Sequence, residues 1–323
     1  MNPKDLLNLL DKHDVYIQTH NFPDPDAIAS AYGLQQFFAA YNIPSTICYD
    51  GKIDRNSTVK MLDTFQIEML AKCGLKDLTK NDYIVLVDSQ KLNANVTALS
   101  GKTVACIDHH PTYFPCTYRY MDVRMVGSCS SIIASYFEQT NTPISPSVAA
   151  ALAYGIKMDT ADFTRMVTSF DTEMFSYLFK HADWNMVVSM YKNILEFDDL
   201  KAYGAAVQNI KVFQGIGFAC IPFECSQALI AIISDFILSL DIIDVAIIYA
   251  IQKDGIRFSI RNNKEDVHAG NMITAALKNI GQGGGHAAMA GGMIPAENKP
   301  LLGNDISESI QNLFMGYLNA AGY

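Results

Sequence analysis

Three short clusters in this chain carry residues that bind metals or handle protons. The first is His20-Asn21-Phe22-Pro23-Asp24-Pro25-Asp26, an imidazole and two carboxylates close together. The second is Asp88, directly after the apolar run Tyr83-Ile84-Val85-Leu86-Val87. The third is Asp108-His109-His110, directly after Thr103-Val104-Ala105-Cys106-Ile107. Carboxylate oxygens with imidazole nitrogens suit a divalent ion of the Mn, Mg or Zn group. The prolines of the first cluster press Phe22 and Asp24 toward extended backbone, and along extended backbone Asp24 and Asp26 point the same way. The plainer reading is a Pro-Asp turn in which Asp26 caps a helix. Asp88 could also be a helix cap, and Asp-His-His a surface loop. Three such clusters at equivalent strand ends make coincidence a poor explanation.

The elements that must position these groups alternate. An apolar β-prone run at Val15 to Thr19 precedes the first cluster, and a helical pattern, Ala27 to Ala40, follows it. Ile43 to Tyr49 reads as a strand, Asp50 to Asn56 as a polar loop, and Met61 to Leu70 as helical. The runs ending at Val87 and Ile107 read as buried parallel strands. Helices are expected from Ser130 to Glu138 and from Pro146 to Tyr154, the latter leading to Gly155-Ile156-Lys157-Met158-Asp159-Thr160. Asp171 to Leu200 reads as helical. Beyond it come strands at Ile210 to Phe213 and Phe218 to Ile221, a helix at Gln227 to Leu238, and a hairpin turning at Lys253-Asp254-Gly255. A short helix, Met272 to Ile280, leads into a glycine loop, Gly281-Gln282-Gly283-Gly284-Gly285-His286. The class is α/β, and ligands of open α/β sheets bind at the carboxyl ends of strands.

Composition narrows the function classes. With 323 residues, half of them hydrophobic and 18% charged, the chain can bury the cores of two domains. The net charge of −9 argues against broad binding to long nucleic acid. The seven cysteines are scattered without a C-x-x-C pair, which fits a reduced, cytoplasmic protein. Residues 1–5 lack the basic-then-apolar pattern of a secretory leader. The most apolar run, Ala228 to Leu240, is too short to span a bilayer.

Taken together, HNFPDPD, VLVDS, IDHHP and GIKMDT, followed by RFSIRNN and GQGGGHAAMAGG, resemble the DHH phosphoesterase superfamily with its DHHA1 domain. Within it the chain looks most similar to the branch of oligoribonucleases (nano-RNases) and 3′-phosphoadenosine-5′-phosphate phosphatases. It departs from that branch where Ala287, Ala288 and Met289 separate His286 from Ala290-Gly291, which bears on substrate choice. The resemblance implies an N-terminal DHH domain with a mainly parallel sheet flanked by helices, over residues 1–190. A helical linker over 191–205 and a smaller α/β DHHA1 domain over 206–323 follow, with the active site in the cleft between the domains. It implies two divalent ions, Mn²⁺ first and Mg²⁺ or Co²⁺ as alternatives. His20 and Asp24 would hold one ion, and Asp26, His109 and Asp159 the other, with Asp88 bridging. Asp108 would orient a histidine and His110 would face the scissile phosphate. Arg261, Gly283, Gly284, Gly285 and His286 would read the substrate. Ser128, in Gly127-Ser128-Cys129-Ser130-Ser131, would either meet a phosphate at a helix N-terminus or cap that helix. Arg165 reads as a solvated charge.

The function so implied is metal-dependent hydrolysis of short oligoribonucleotides or nucleoside bisphosphates by an activated water. Linear or cyclic signalling dinucleotides are the alternative substrates. Polyphosphate or pyrophosphate, and a catalytically silent nucleotide-binding regulator, rank lower. Expected partners are short single-stranded oligonucleotides or nucleotides, with neither long nucleic acid nor membrane. A homodimer stays open.

Overall fold

The computed structural model describes residues 2–53, 56–192 and 195–320. It divides into two compact units, Met1–Leu195 and Glu196–Tyr323.

The first unit runs α1 (Pro3–Leu10), β1 (Val15–Gln18), α2 (Pro25–Ala39), β2 (Ser45–Tyr49), α3 (Asn56–Phe65), β3 (Leu70–Ala71), β4 (Tyr83–Val87), β5 (Lys102–Asp108), β6 (Tyr120–Val123), α4 (Cys129–Thr140), α5 (Pro146–Asp159), α6 (Ser169–Phe179) and α7 (Trp184–Met190). Its strands form one sheet in the order β3-β2-β1-β4-β5-β6, parallel throughout. All five residues of β4 are buried, which is why that strand reads as an unbroken apolar run. Alternation decides which face each side chain serves. Val15 and Ile17 enter the large core with Phe37, Phe38, Tyr136 and Phe137, whereas Tyr16 joins Cys48, Ile84 and Leu86 on the opposite face under Leu75, Leu78, Val96 and Leu99. The chain leaves β1 in one direction and β4 in the other. The sheet therefore has its topological switch point between these two strands, where an open α/β sheet leaves a crevice at the carboxyl ends.

The second unit runs α8 (Asp199–Asn209), β7 (Lys211–Phe213), β8 (Ile216–Ile221), α9 (Gln227–Leu238), β9 (Val245–Gln252), β10 (Gly255–Asn262), α10 (Ala269–Ala276), β11 (Gln282–Gly285), β12 (Met289–Pro295) and α11 (Ile306–Ala320). Its sheet has the order β11-β12-β10-β9-β8-β7. β8 and β9 are parallel and the other pairings antiparallel. One face packs Phe218, Tyr249 and Phe258 against Met272, Ile273 and Phe314 of α10 and α11. The other packs Ala219, Ile221 and Ile248 against Ala202, Ala206, Ile230 and Ile233 of α8 and α9. Among the described residues no helix is long and apolar enough to cross a membrane.

Three local expectations change. The helical stretch from Asp171 to Leu200 is broken. Thr168 and Asp171 form a capping box that starts α6, and Asp183 caps a separate α7. Residues 193–194, inside both that stretch and the expected linker, lie outside the described residues, as do 54–55 of the polar loop. The glycine loop is not a loop over Gln282–Gly285 but an edge strand paired with β12, because partner backbone supplies what weak glycine propensity does not. Phe22 is not extended but left-handed, at φ 55°. Its amide donates to the Asp50 carbonyl at 3.0 Å, and this tertiary bond outweighs the local preference.

Candidate metal centre

His20 follows β1 and Asp88 follows β4, so the two stand on either side of the switch point. Their facing atoms, His20 Nε2 and Asp88 Oδ2, are 3.6 Å apart. Asp88 adopts φ 55°. This left-handed conformation is strained for most residues but tolerable for aspartate, and strain of this kind gathers at functional sites. The carboxylate so turned faces both neighbouring strands.

The helix after β1 begins at Pro25, whose missing amide costs nothing in a first turn. Asp24 is its N-cap, accepting from the Ala27 amide at 3.0 Å. Asp26 is therefore already helical, neither the cap nor aligned with Asp24. The two carboxylates diverge into different groups: His20, Asp24 and Asp88 converge in one, and Asp26, His109 and Asp159 in another. Asp88 also converges with Asp108, His109 and His110. His109 Nε2 lies 3.2 Å from Asp159 Oδ2, 3.3 Å from Asp88 Oδ1 and 4.0 Å from Asp26 Oδ2.

Both inner imidazoles are held from behind. His20 Nδ1 meets the Asn21 carbonyl at 2.9 Å and His109 Nδ1 meets the Val126 carbonyl at 3.1 Å. A proton on each Nδ1 leaves each Nε2 with a lone pair aimed at the carboxylates, the tautomer a metal ligand needs. His110 is oriented differently. Its Nδ1 bonds Asp108 Oδ1 at 2.9 Å, and 40% of its side chain is exposed. Asp108 is fully buried and is itself fixed by the Gln90 side-chain amide, which donates to Asp108 Oδ2 at 2.8 Å and to the His110 carbonyl at 3.0 Å.

The site is electrostatically frustrated as it stands. Burial pushes Asp26 well above the usual carboxylate range, with Asp88 and Asp159 adding to it. Burial also pushes Asp159 up to about 6. It would raise Asp88 too, but the facing imidazoles of His109 and His20 hold that carboxyl below the ordinary range. Burial alone would lower the two imidazoles, but their carboxylate partners hold both well above the ordinary histidine value. Protons are thus recruited where positive charge is wanted. Asp88 Oδ1 is buried and makes no hydrogen bond of good geometry, His109 Nε2 standing 3.3 Å from it; a buried acceptor of this kind is met by an ordered water or an ion. The donor set, carboxylate oxygens and imidazole nitrogens around that atom, fits divalent cations.

Several residues supporting this site carry no signal in the sequence. Gly155 on α5 lies so close to α4 that a Cβ there would come 2.3 Å from Ser130 Oγ and 3.2 Å from Asp26 Oδ1. Asp171, fully buried, accepts from the Gly127 amide at 2.8 Å and the Ser131 hydroxyl at 2.6 Å, tying the start of α4 to α6. The segment Gly127–Ser131 is consequently closed to a phosphate. The Cys129 and Ser130 amides donate to the two Asp26 oxygens at 2.7 and 3.0 Å, and the Ser131 amide to Ser128 Oγ at 3.2 Å. Ser128 is fully buried and is an N-cap, not a substrate contact. The helix N-terminus still binds an anion, the carboxylate of Asp26. Arg165 is not a solvated charge either; it is half-buried and its Nη2 donates to the Asp159 carbonyl at 2.8 Å.

The carboxyl end of α5 is unusual. After Asp159 and Thr160, Ala161, Asp162 and Phe163 take φ of 47°, 54° and 66°. This is a left-handed turn without glycine, a conformation that costs about 1–2 kcal/mol per residue.

In the second unit, Arg261 at the end of β10 is paired with Asp235 at 2.6 Å and with the Ser259 hydroxyl at 3.2 Å. Gly283, Gly284 and Gly285 lie on the edge strand β11. Gly284 has open space where a Cβ would stand, and the His286 amide donates to the Met289 carbonyl at 2.8 Å.

Residues 14–156 match the model of the DHH family N-terminal domain, and residues 212–312 that of the DHHA1 domain. An uncharacterised protein of Methanocaldococcus jannaschii is 28% identical over 286 residues, 88% of this chain, and the chain spans 58% of that relative's length. A probable manganese-dependent inorganic pyrophosphatase of Streptococcus pyogenes is 26% identical over 145 residues, 44% of this chain and 46% of its own. The crystal structure of an exopolyphosphatase-related protein from Bacteroides fragilis superposes with a TM-score of 0.79 at 16% identity, covering 99% of this chain and 97% of that one, which shows a shared fold. With both domain models matched in order, and the His and Asp residues of the DHH domain converged at one switch point, this chain belongs to the DHH phosphoesterase superfamily.

Proposed function

We propose that the protein is a phosphohydrolase dependent on two divalent cations, Mn²⁺ first, that cleaves short oligoribonucleotides and nucleoside bisphosphates. The observation that carries this reading is the place of Asp88: it converges with His20 and Asp24, and its Oδ1 lies 3.3 Å from Nε2 of His109, which converges with Asp26 and Asp159. Paired divalent ions supply an acidified water for in-line attack and neutralise the phosphoryl oxygens. Four carboxylates, Asp24, Asp26, Asp88 and Asp159, balance the charge of two such ions, so a dianionic phosphate enters a site near neutrality. His20 and His109, fixed through Nδ1, would keep Nε2 turned to that site and give up the Nε2 proton when a cation binds. His110, anchored on buried Asp108, is the most exposed of the three histidines. Its Nε2 would donate a proton to the phosphate or its leaving oxygen, with Asp108 at Nδ1 stabilising the imidazolium form.

For the substrate, an acidic chain with −9 net charge disfavours long polymers. The glycine edge of β11, open at Gly284, suits close approach of a nucleotide to backbone. Arg261 would exchange part of its bond to Asp235 for a terminal phosphate, and His286 would stack on a base. Inorganic pyrophosphate is the second reading, supported by the streptococcal relative's name. The deciding experiment is a panel of linear di- to pentanucleotides, cyclic dinucleotides, phosphoadenosine phosphate, pyrophosphate and polyphosphate, each with Mn²⁺, Mg²⁺ and Co²⁺. Mononucleotide release from the linear series is the expected result. Turnover of pyrophosphate alone would replace this substrate assignment.

A further inference from the structure

The left-handed turn after Asp159 is held shut from three sides. Lys157 Nζ pairs with Asp162 Oδ1 at 2.5 Å, and the Tyr191 hydroxyl donates to the same oxygen at 3.1 Å. The ammonium also lies over the rings of Tyr191 and Phe163, 5.4 and 5.8 Å from their centroids. Inside the turn, the Asp162 amide donates to the Lys157 carbonyl at 2.7 Å, and the Thr164 and Arg165 amides to the Thr160 carbonyl at 3.0 and 2.9 Å. Phe163 packs edge-on against Phe175 of α6, with centroids 4.8 Å apart. Ending a helix takes one left-handed residue, usually glycine. Three in succession, none of them glycine, exceed what termination requires, and such conformations persist only where the surroundings over-determine them.

We infer that Asp162 is a positioning residue for Asp159, and that its clasp with Lys157 and Tyr191 keeps a strained turn closed so that the Asp159 carboxylate stays beside His109. The inference rests on the reading of Asp159 as a metal ligand. Mechanically, Asp159 is the last residue of α5. Its carbonyl is gripped by Arg165 from the far side of the turn, so the turn sets the backbone from which the carboxylate projects. Opening the clasp lets residues 160–165 relax and frees Asp159 to leave the group it forms with Asp26 and His109.

Manganese titration of chelator-stripped protein by calorimetry tests this without any turnover. Lys157→Met is the informative variant, because it removes a positive charge near the cation site. An effect of charge alone would tighten Mn²⁺ binding, whereas loss of the clasp weakens it, by about tenfold for a loss of 1.4 kcal/mol. Asp162→Ala should weaken binding at least as much. Adding Ala161→Gly to either variant should recover part of the affinity, since glycine takes the left-handed conformation without strain. Tyr191→Phe removes a single hydroxyl from a half-exposed ring and should give a smaller loss in the same direction, even if the bolder changes fail to fold. Unchanged or tighter Mn²⁺ binding in Lys157→Met, with Tyr191→Phe like wild type, overturns the inference. Asp159→Asn separates this failure from failure of the metal-site reading: if that variant also binds Mn²⁺ normally, Asp159 is not a ligand at all.

Discussion

Gly155 and Ser130 touch across the α5–α4 interface so closely that a methyl group at position 155 would come 2.3 Å from Ser130 Oγ. Ser130 in turn donates its amide to Asp26. The absence of one side chain on α5 therefore lets the amides of α4 orient a carboxylate on α2.

Gly155→Ala is expected to force α4 and α5 apart. Overpacking of this kind costs about 1–3 kcal/mol, to be read from chemical denaturation of the metal-free protein. Its particular signature is a weaker response to Mn²⁺, because Asp26 moves with Ser130. Equal destabilisation with and without Mn²⁺ would confine the role of Gly155 to packing.

Asp88→Asn retains size and removes the charge that faces His20 on one side and His109 on the other. Turnover of the best substrate in the panel should fall at least about a hundredfold, equivalent to about 2.7 kcal/mol of transition-state stabilisation. The metal content of the purified variant should fall with it. Full activity at saturating Mn²⁺ would remove Asp88 from the centre.

Gln90→Leu leaves the Asp108 carboxylate without one of its donors and His110 without its backbone anchor. Partners that orient an active-site group in this way are typically worth 10- to 100-fold. The expected loss is in kcat, with Mn²⁺ affinity unchanged, since neither group binds Nε2 of His20 or His109. A parallel loss of metal would show that Gln90 supports the whole site.

The pH dependence of the metal-free protein has a definite sign. His20 and His109 are held well above the ordinary histidine value, so the folded state keeps protons that the unfolded state releases. Their stabilisation is complete below the unfolded value of about 6.5 and is lost as pH rises through the folded values. Asp159, raised to about 6, works the same way in a lower window: stability declines as pH rises from the unfolded carboxylate range to about 6. Stripped protein should melt at a lower temperature at pH 8.5 than at pH 6.5. Mn²⁺ displaces these protons, so its stabilising shift should grow over the same interval. A shift independent of pH would mean that the metal binds elsewhere.

Much of the site is legible in the chain because local rules govern it. Continuous apolar runs mark β4 and β5 as buried parallel strands, and the residues just after them are necessarily at the carboxyl edge of a sheet. That suffices to put His20, Asp88 and Asp108-His109-His110 on one side of the first unit. Local rules also mislead where a distant partner outbids them. Phe22 is left-handed because Asp50 takes its amide, and the glycines of β11 are a strand because β12 offers a ladder. Only the tertiary structure decides that Asp24 and Asp26 diverge, since Asp24 caps α2 while Asp26, two residues on and already helical, turns toward α4. Only the tertiary structure spends the α4 amides on Asp26, leaves Gly155 bare to allow it, and closes the strained turn that carries Asp159. These outcomes depend on atoms that meet across a hundred residues of sequence, such as Asp26 with Ser130. No spacing within a single segment encodes such a meeting.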